Sequence, residues 1–404
     1  MADPITAFAT LMESQGPTFM GKPKDIVNTL TKRNYTSAFL IGGRKEREVF
    51  KAGPVLKDRI LLTATDRGEW YLPAGYEKDY QNPQTGTEMT ANWRFYMFDV
   101  AWTDQEIMMD VPTGVGKRYA AHQLKELMFQ KRQVAHTNAV NAMEYAKWAP
   151  PVYADMEATG TAKRPQSILS FVNEYTDATS GIHVPPSATG GASWGSTVQT
   201  IPTATAATNT AWDNQSLTYS SVGGDTADTK YVAGGDLVGK LKRMRRKLSY
   251  QKLPGKPQYG DMASAPHIIA SSEWGCEAFS TGLRGGKDTW GAAEMEDGTL
   301  TVGGVEIVYI SELDTTPAYI DTTNNTLVAE DSADADFTGP RFYFLTKDAL
   351  RQVFFKERYF HSHKPGQDIR QPTSWIQNFE VWCQLWCRDR RKLGVVHPSA
   401  QISQ

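Results

Sequence analysis

The run from Trp375 to Arg388, WIQNFEVWCQLWCR, limits the fold more than any other part of this chain. Trp375, Phe379, Val381, Cys383, Leu385 and Cys387 fall on one side of a period of two, and Asn378, Glu380, Gln384 and Arg388 on the other. Alternation of this length, filled with aromatic and β-branched side chains, marks a long antiparallel strand with one face in a core. Ile376, Trp382 and Trp386 interrupt the polar side. The second face is therefore also expected to meet protein rather than water. Upstream, Arg341 to Leu345 and Val353 to Phe360 read as aromatic strands, with a short polar helix expected at Thr346 to Leu350.

A second constraint is helical. Residues 116 to 148 contain no proline, and apolar residues recur at Ala120, Leu124, Leu127, Met128, Ala135, Ala139, Ala142, Met143 and Ala146. That spacing gives one thin apolar stripe on a helix of roughly 50 Å. Pro112 precedes it and Pro150–Pro151 ends it, as helix boundaries require. Before the helix, TSAFLIGG and VFKAGPVLKDRILL read as strands around a basic turn. Residues 63 to 95 then hold too much Gly, Pro, Asn and aromatic for an ordinary turn. The economical reading is a long two-stranded excursion. An isolated hairpin is marginal in water, and this one carries Trp70, Tyr71, Tyr76, Tyr80 and Trp93, read as exposed. These rings are expected to bury against another subunit. Residues 1 to about 35 read as an arm whose Phe8 and Phe19 need a partner in the same way.

Residues 165 to 229 contain no Lys or Arg and are dense in Thr, Ala, Ser and Gly, yet Trp194, Ile201, Trp212 and Leu217 punctuate them. An ordered β insertion is expected there. Composition then reverses. DLVGKLKRMRRKLSY opens on Asp236 as an N-cap and stacks Leu237, Leu241, Met244 and Leu248 on one face. Lys240, Lys242, Arg243, Arg245, Arg246 and Lys247 occupy the others. Three readings are open to them: facing phosphate, forming a solvated face, or pairing with acidic stretches at Glu294–Asp297 and Asp331–Asp336 of this or a neighbouring copy. No aromatics interleave with them as in single-strand binders. Pro266 to Ala270 reads as a buried strand, SSEWGCEAFSTGLRG as a capped helix, TLTVGGVEIVYISEL as a strand pair, and 321 to 337 as an acidic loop.

Chemistry-bearing motifs are missing. TGVGKR fails the phosphate-loop pattern, with Val111 where a Gly is needed and Arg118 where Ser or Thr is needed. Gly285–Gly286 and Gly303–Gly304 read as turn glycines. Cys383 and Cys387 lack a second ligand pair and read as buried small hydrophobes. His361, His363 and Asp368 have no metal-site spacing, and His122 and His136 read as ordinary polar positions on the long helix. No catalytic residues, cofactor or metal are expected, and the chain is read as a non-enzyme. Its three cysteines suit a reducing compartment, and its formal net charge of −2 gives no global pull toward nucleic acid or membrane. The N-terminus has no basic n-region, and no run of eighteen apolar residues exists. The chain is thus read as a soluble cytosolic product.

The order of these pieces resembles the major capsid proteins of tailed double-stranded DNA bacteriophages. The carriers are the aromatic strands, the Pro-Gly-Gln turn at 365–367, the long strand ending in Arg-Arg-x-x-Gly-Val-Val, the long helix, the Gly53 turn, the Trp70–Pro73 segment and the Trp-Thr-x-x-Glu of 102–106. The resemblance implies an α+β Hong Kong 97-type fold. Its parts would be an N-terminal arm (1–40), an extended β-hairpin loop (41–105), a spine helix with part of a peripheral domain (106–155), an axial domain with the Thr/Ser/Gly-rich insertion (156–335) and peripheral C-terminal strands (336–404). It implies self-assembly as pentamers and hexamers into an icosahedral head around packaged DNA. Scaffolding, portal and decoration proteins would be further partners, assembly would take place in the host cytoplasm, and no cleaved prodomain is expected. The alternatives are a non-enzymatic nucleic-acid-binding protein using helix 240–247, or another virion structural part.

Overall fold

A computed structural model describes residues 34–41, 49–50, 53, 55–61, 86–103, 106, 117–148, 165–172, 174–175, 182–183, 197–198, 201–202, 214–219, 236–250, 267–285, 300–315, 319–321, 326–328, 340–347, 349–367 and 373–398. In chain order the elements are α1 (Tyr35–Ile41), β1 (Val49–Phe50), β2 (Val55–Leu61), β3 (Gly86–Asn92), β4 (Arg94–Thr103) and α2 (Lys117–Trp148). Then come α3 (Ile168–Phe171), β5 (Glu174–Tyr175), β6 (Ile182–His183), β7 (Thr197–Val198), β8 (Ile201–Pro202), β9 (Gln215–Tyr219), α4 (Leu237–Tyr250), β10 (His267–Ser271) and α5 (Glu273–Gly285). The rest are β11 (Thr301–Val302), β12 (Val305–Tyr309), α6 (Ser311–Thr315), β13 (Tyr319–Asp321), β14 (Thr326–Val328), β15 (Phe342–Thr346), β16 (Leu350–Phe355), β17 (His361–Ser362), β18 (Gly366–Gln367), β19 (Ser374–Cys387) and β20 (Gly394–Pro398).

The chain divides into two compact units. Of the described residues, one takes those within 97–142 and 362–379; the other takes those within 34–96, 143–361 and 380–404. The larger unit is built on a six-stranded mixed sheet, ordered β11-β12-β10-β15-β20-β9. β15 runs antiparallel to β10 and β20, while β12 is parallel to β10 and β9 is parallel to β20. Both faces are covered, which is why β15, FYFLT, is buried at every position. Ile269, Ile307, Phe342, Phe344 and Val396 face one core with Leu237, Leu241, Met244 and Leu248 of α4 and Ala278, Phe279 and Leu283 of α5. Their strand neighbours Ala270, Val308, Tyr343, Leu345 and Val395 face another, with Leu40, Trp148, Ile168, Phe171 and Leu313 from the remaining helices. The helix–sheet–helix layering follows from the period of two in each strand.

Three glycines permit a close packing and a tight turn. A Cβ on Gly394 would lie 2.8 Å from Met244 Sδ, so α4 can seat on β20 only where no side chain stands. Gly303 and Gly304 take φ of 57° and 82°. They form the two-residue turn that joins β11 to β12, with both centres left-handed as a type I′ hairpin demands. The Arg-Arg-x-x-Gly-Val-Val run bolts this unit together. Asp389 caps a short 3₁₀ turn, Arg390–Lys392, by accepting from the Arg391 N–H. Arg390, fully buried, donates to the carbonyl of Phe171 at the end of α3 (2.8 Å) and to Asn214 Oδ1 (3.2 Å). Lys392 donates to the Leu248 carbonyl in the last turn of α4 (2.8 Å). Both cations thus satisfy orphan carbonyls at helix C-termini, where the helix dipole favours positive charge.

In the same unit β16 pairs antiparallel with the C-terminal half of β19, from Leu350 opposite Cys387 to Phe354 opposite Cys383. β1 adds in parallel to β16. β2 and β3 form a hairpin in register from Val55 opposite Asn92 to Leu61 opposite Gly86. Its root residues Leu56, Met89 and Ala91 bury with Trp93, Val353 and Trp386. In the smaller unit Phe98 stacks on Phe379 (5.2 Å), and His136 of α2 meets both rings edge-on. Val100, Trp102 and Ala135 complete that cluster. Arg132 donates to Gln377 Oε1 (2.6 Å), and Gln377 donates to the His363 carbonyl (3.1 Å). Thr103 and Glu106 exchange N–H bonds reciprocally (3.0 and 3.2 Å), as a capping box does.

Several expectations are corrected. TSAFLIGG is not a strand; Tyr35–Ile41 is a helix, because an acceptor on another element satisfies its first N–H groups. The expected helix at Thr346 to Leu350 is a tight turn closed by the Ala349 N–H to the Thr346 carbonyl (3.1 Å). The following strand begins at Leu350 and stops at Phe355. The acidic loop of 321 to 337 contains part of a strand pair, β13–β14. The C-terminal strands do not share one sheet: β15 and β20 belong to the sheet of β9 to β12, and β16 to β19 to another. The insertion at 165–229 contributes β9 to the main sheet and two short pairs, β5–β6 and β7–β8. Trp194 and Trp212 lie outside the described residues.

Candidate assembly surfaces

Seven aromatics were singled out from sequence as inter-subunit anchors. Phe8, Phe19, Trp70, Tyr71, Tyr76 and Tyr80 lie outside the described residues. Trp93 corrects its expectation. It is 5% exposed, its indole N–H donates to the Gly53 carbonyl (3.1 Å), and its edge meets Phe355 at 5.5 Å. It roots the β2–β3 hairpin in its own chain.

The aromatic side of β19 is likewise covered by its own chain in part. Trp382 lies against Phe355 (5.0 Å) and Phe95 (4.7 Å), with the Arg358 guanidinium over its ring at 5.2 Å. Arg358 also pairs with Glu380. Coverage then runs out. β4 alternates inward and outward, and its outward residues Phe95 and Met97 are 63% and 65% exposed. Large apolar side chains at consecutive outward positions of one strand are the surface feature that most calls for a partner. Sequence reading passed over them because the outward face of β4 also holds Asp99 and Ala101.

The expected basic helix is present as α4, with Leu237, Leu241, Met244 and Leu248 at 0–1% exposure. The structure divides its six cations. Arg245 lies against the β11–β12 turn, so close that a Cβ on Gly303 would sit 2.2 Å from its guanidinium. Arg243 and Arg246 are exposed; Lys240, Lys242 and Lys247 are partly so. The acidic stretches proposed as their partners, 294–297 and 331–336, lie outside the described residues.

One polar cluster was not foreseen. Glu144, near the C-terminal end of α2, accepts from the Thr36 N–H (3.0 Å), the Ser37 N–H (2.8 Å) and the Ser37 hydroxyl. Lys147, 3.4 Å from the same carboxylate, also bonds Ser37 Oγ. Trp148 donates to Thr36 Oγ1 (2.9 Å). Glu144 is therefore a capping carboxylate supplied across space to α1. Burial pushes its carboxyl up, but Lys147 and the three hydrogen bonds outweigh that and hold it below the usual range. Burial pulls the Lys147 ammonium down despite Glu144. The signal in sequence was Asn34, a strong N-cap residue directly before the apolar run. His136 also departs from its reading as an ordinary polar position: burial first, then Arg132, lowers its pKa. Cys383 and Cys387 are buried small side chains of β19, as expected, and burial pushes the Cys383 thiol up to about 11. Among the described residues no cluster of His, Cys, Asp or Glu could hold a metal, and no helix is long and apolar enough to cross a membrane.

No protein-family model matches the sequence, and no curated protein matches it. Solved structures do. A cyanophage A-1(L) capsid asymmetric unit is 11% identical, with 93% of this chain and 96% of that chain covered at a TM-score of 0.52. The Mycobacterium phage Bobi structure is 10% identical over 94% and 95% of the two chains, at 0.46. The capsid of a native GTA particle is 11% identical over 93% and 95%, at 0.44. The likeness to the cyanophage A-1(L) capsid chain shows that this chain has the α+β fold of a phage capsid subunit.

Proposed function

We propose that this chain is the major capsid protein of a tailed double-stranded DNA bacteriophage. Copies associate as pentamers and hexamers and close an icosahedral head around the packaged genome. The observation that carries this reading is the capsid fold running through 93% of the chain, joined to the exposed Phe95 and Met97 of β4. The role is structural rather than enzymatic. The three-layer sheet of β9 to β12, β15 and β20 with α4 and α5 would serve as the axial domain. β4, α2, β17, β18 and the N-terminal half of β19 would belong to the peripheral one. The arm and residues 62–85 would lend their aromatic rings to neighbouring copies, where interfaces of about 1,600 Å² need such anchors. Repetition around the shell multiplies modest contacts. Scaffolding, portal and decoration proteins are partners of the same assembly, which would take place in the host cytoplasm.

The hairpin register supplies the test. Leu61 and Gly86 are directly opposite, so residues 62–85 can be replaced by Asn-Gly, the two-residue turn such strands prefer. A larger excision reaching Met89 and Ala91 would open the core around Val353 and Trp386 and confuse the result. The shortened chain is expected to fold, with the melting transition of the parent, and to form no shells by negative-stain microscopy. Normal shells from it would remove residues 62–85 from the assembly. A full-length chain that stays monomeric at high concentration would end the capsid reading itself.

A further inference from the structure

We infer that the outward face of α4 is a binding site for the phosphate backbone of nucleic acid, centred on Lys240, Arg243 and Arg246 and flanked by Lys242 and Lys247. The inference deepens the capsid reading, since it names the part of the subunit that meets the genome. α4 spends its apolar side on the sheet, through Leu237, Leu241, Met244 and Leu248. Arg245 is committed to the β11–β12 turn. Lys240, Lys242, Arg243, Arg246 and Lys247 lie on the outer arc, and Arg243 and Arg246 are exposed. Among the described residues no carboxylate pairs with Lys240, Arg243 or Arg246; the Arg246 Nε–H contacts only the Lys242 carbonyl (3.4 Å).

The chemistry of the face selects the partner. A protein partner needs apolar or aromatic anchors, and lysine is depleted in such interfaces. From Gly239 to Lys247 the outer arc holds Gly239 and five cations and no apolar or aromatic side chain. A duplex suits it: the eight residues from Lys240 to Lys247 rise about 10 Å, and that length of duplex carries about six phosphate charges. The contact is independent of base sequence, because no side chain of the arc is placed to read base edges against a fixed register. It is local as well, which reconciles it with a chain whose net charge is −2.

The test uses the full-length chain and a fluorescent 30-base-pair duplex of random sequence, read by anisotropy from 50 to 200 mM NaCl. Five phosphate contacts give a log–log salt slope of about −4.5, a loss of about twenty-fold in affinity per doubling of salt. The combined variant Lys240→Gln, Arg243→Gln, Arg246→Gln is expected to bring the slope to about −1.8. The control Lys57→Gln, Lys364→Gln is expected to leave it unchanged. Should the triple variant not fold, Arg243→Gln with Arg246→Gln replaces it and is expected to lose about 1.8 of slope. A variant that binds like the parent overturns the inference. So does a parent that ignores the duplex but binds polyglutamate, which would assign the face to an acidic protein. Negative-stain images of the same preparations separate the two readings. Parent shells with an unchanged slope in the triple variant would sink the site alone, and a slope lost in the variant with no shells from the parent would sink the capsid reading alone.

Discussion

Glu144 and Lys147 show how much one buried pair can decide. The carboxylate caps α1 and neutralises a lysine that is 2% exposed. Removing one partner of a buried pair typically costs about 3–5 kcal/mol, because the other charge is left alone in a poor solvent. Glu144→Ala should cost at the upper end of that range, since it also orphans the Thr36 and Ser37 N–H groups. The double variant Glu144→Met, Lys147→Met should cost less than Glu144→Ala. Urea titration of the three proteins measures this, and a strictly additive result would contradict the geometry. Gly394 makes a second single-atom case. Gly394→Ala drives a methyl against Met244 Sδ and should destabilise by about 1–3 kcal/mol. Shortening Met244 to Ala in that background should recover part of the loss, read as a shift in urea midpoint.

Helix α2 reports on its own packing through His136. The ring lies between Phe98 and Phe379 and has its pKa lowered, with burial as the larger cause. A histidine with a depressed native pKa binds its proton more readily when unfolded. Stability is therefore full above the unfolded value of about 6.5 and falls as pH drops from there toward the native value. Unfolding followed by urea at pH 7.5 and 5.5 should show this loss, and His136→Phe should diminish it. The cysteines of β19 offer an independent check on that strand. Cys383 is 3% and Cys387 0% exposed, whereas Cys276 on α5 is half-buried with its thiol pushed up to about 11, chiefly by burial. A thiol reagent at pH 8 should label Cys276 slowly and alone in the native chain, and all three after guanidinium. Fast labelling of Cys383 or Cys387 would contradict the register of β16 with β19.

For the whole molecule, the sequence made the elements legible and left their grouping open. The period of two in 375–388 fixed a long strand and its buried side, and the structure shows Gln377, Phe379, Val381, Cys383, Leu385 and Cys387 inward. The unbroken helical stripe fixed α2 to within a residue at its start. Leu237, Leu241, Met244 and Leu248 fixed the buried side of α4, and Gly303–Gly304 fixed a hairpin turn. These signals are local, because the repeat of the backbone sets which side chains share a face. What lay beyond them needed partners far away in the chain. TSAFLIGG reads as a strand, and Glu144, over a hundred residues on, decides for helix by accepting its first N–H groups. Trp93 looked like a surface ring until Gly53 and Phe355 closed around it. Arg390 and Lys392 carry no mark of burial in the order of residues, and in the structure they bolt helix ends. β15 and β20 left the neighbouring aromatic strands to join another sheet. Periodicity is written in the order of residues, so the chain determined its faces by itself. Which face meets which, and where a buried charge finds its counterpart, depends on contacts between distant segments, and only the tertiary structure supplied those.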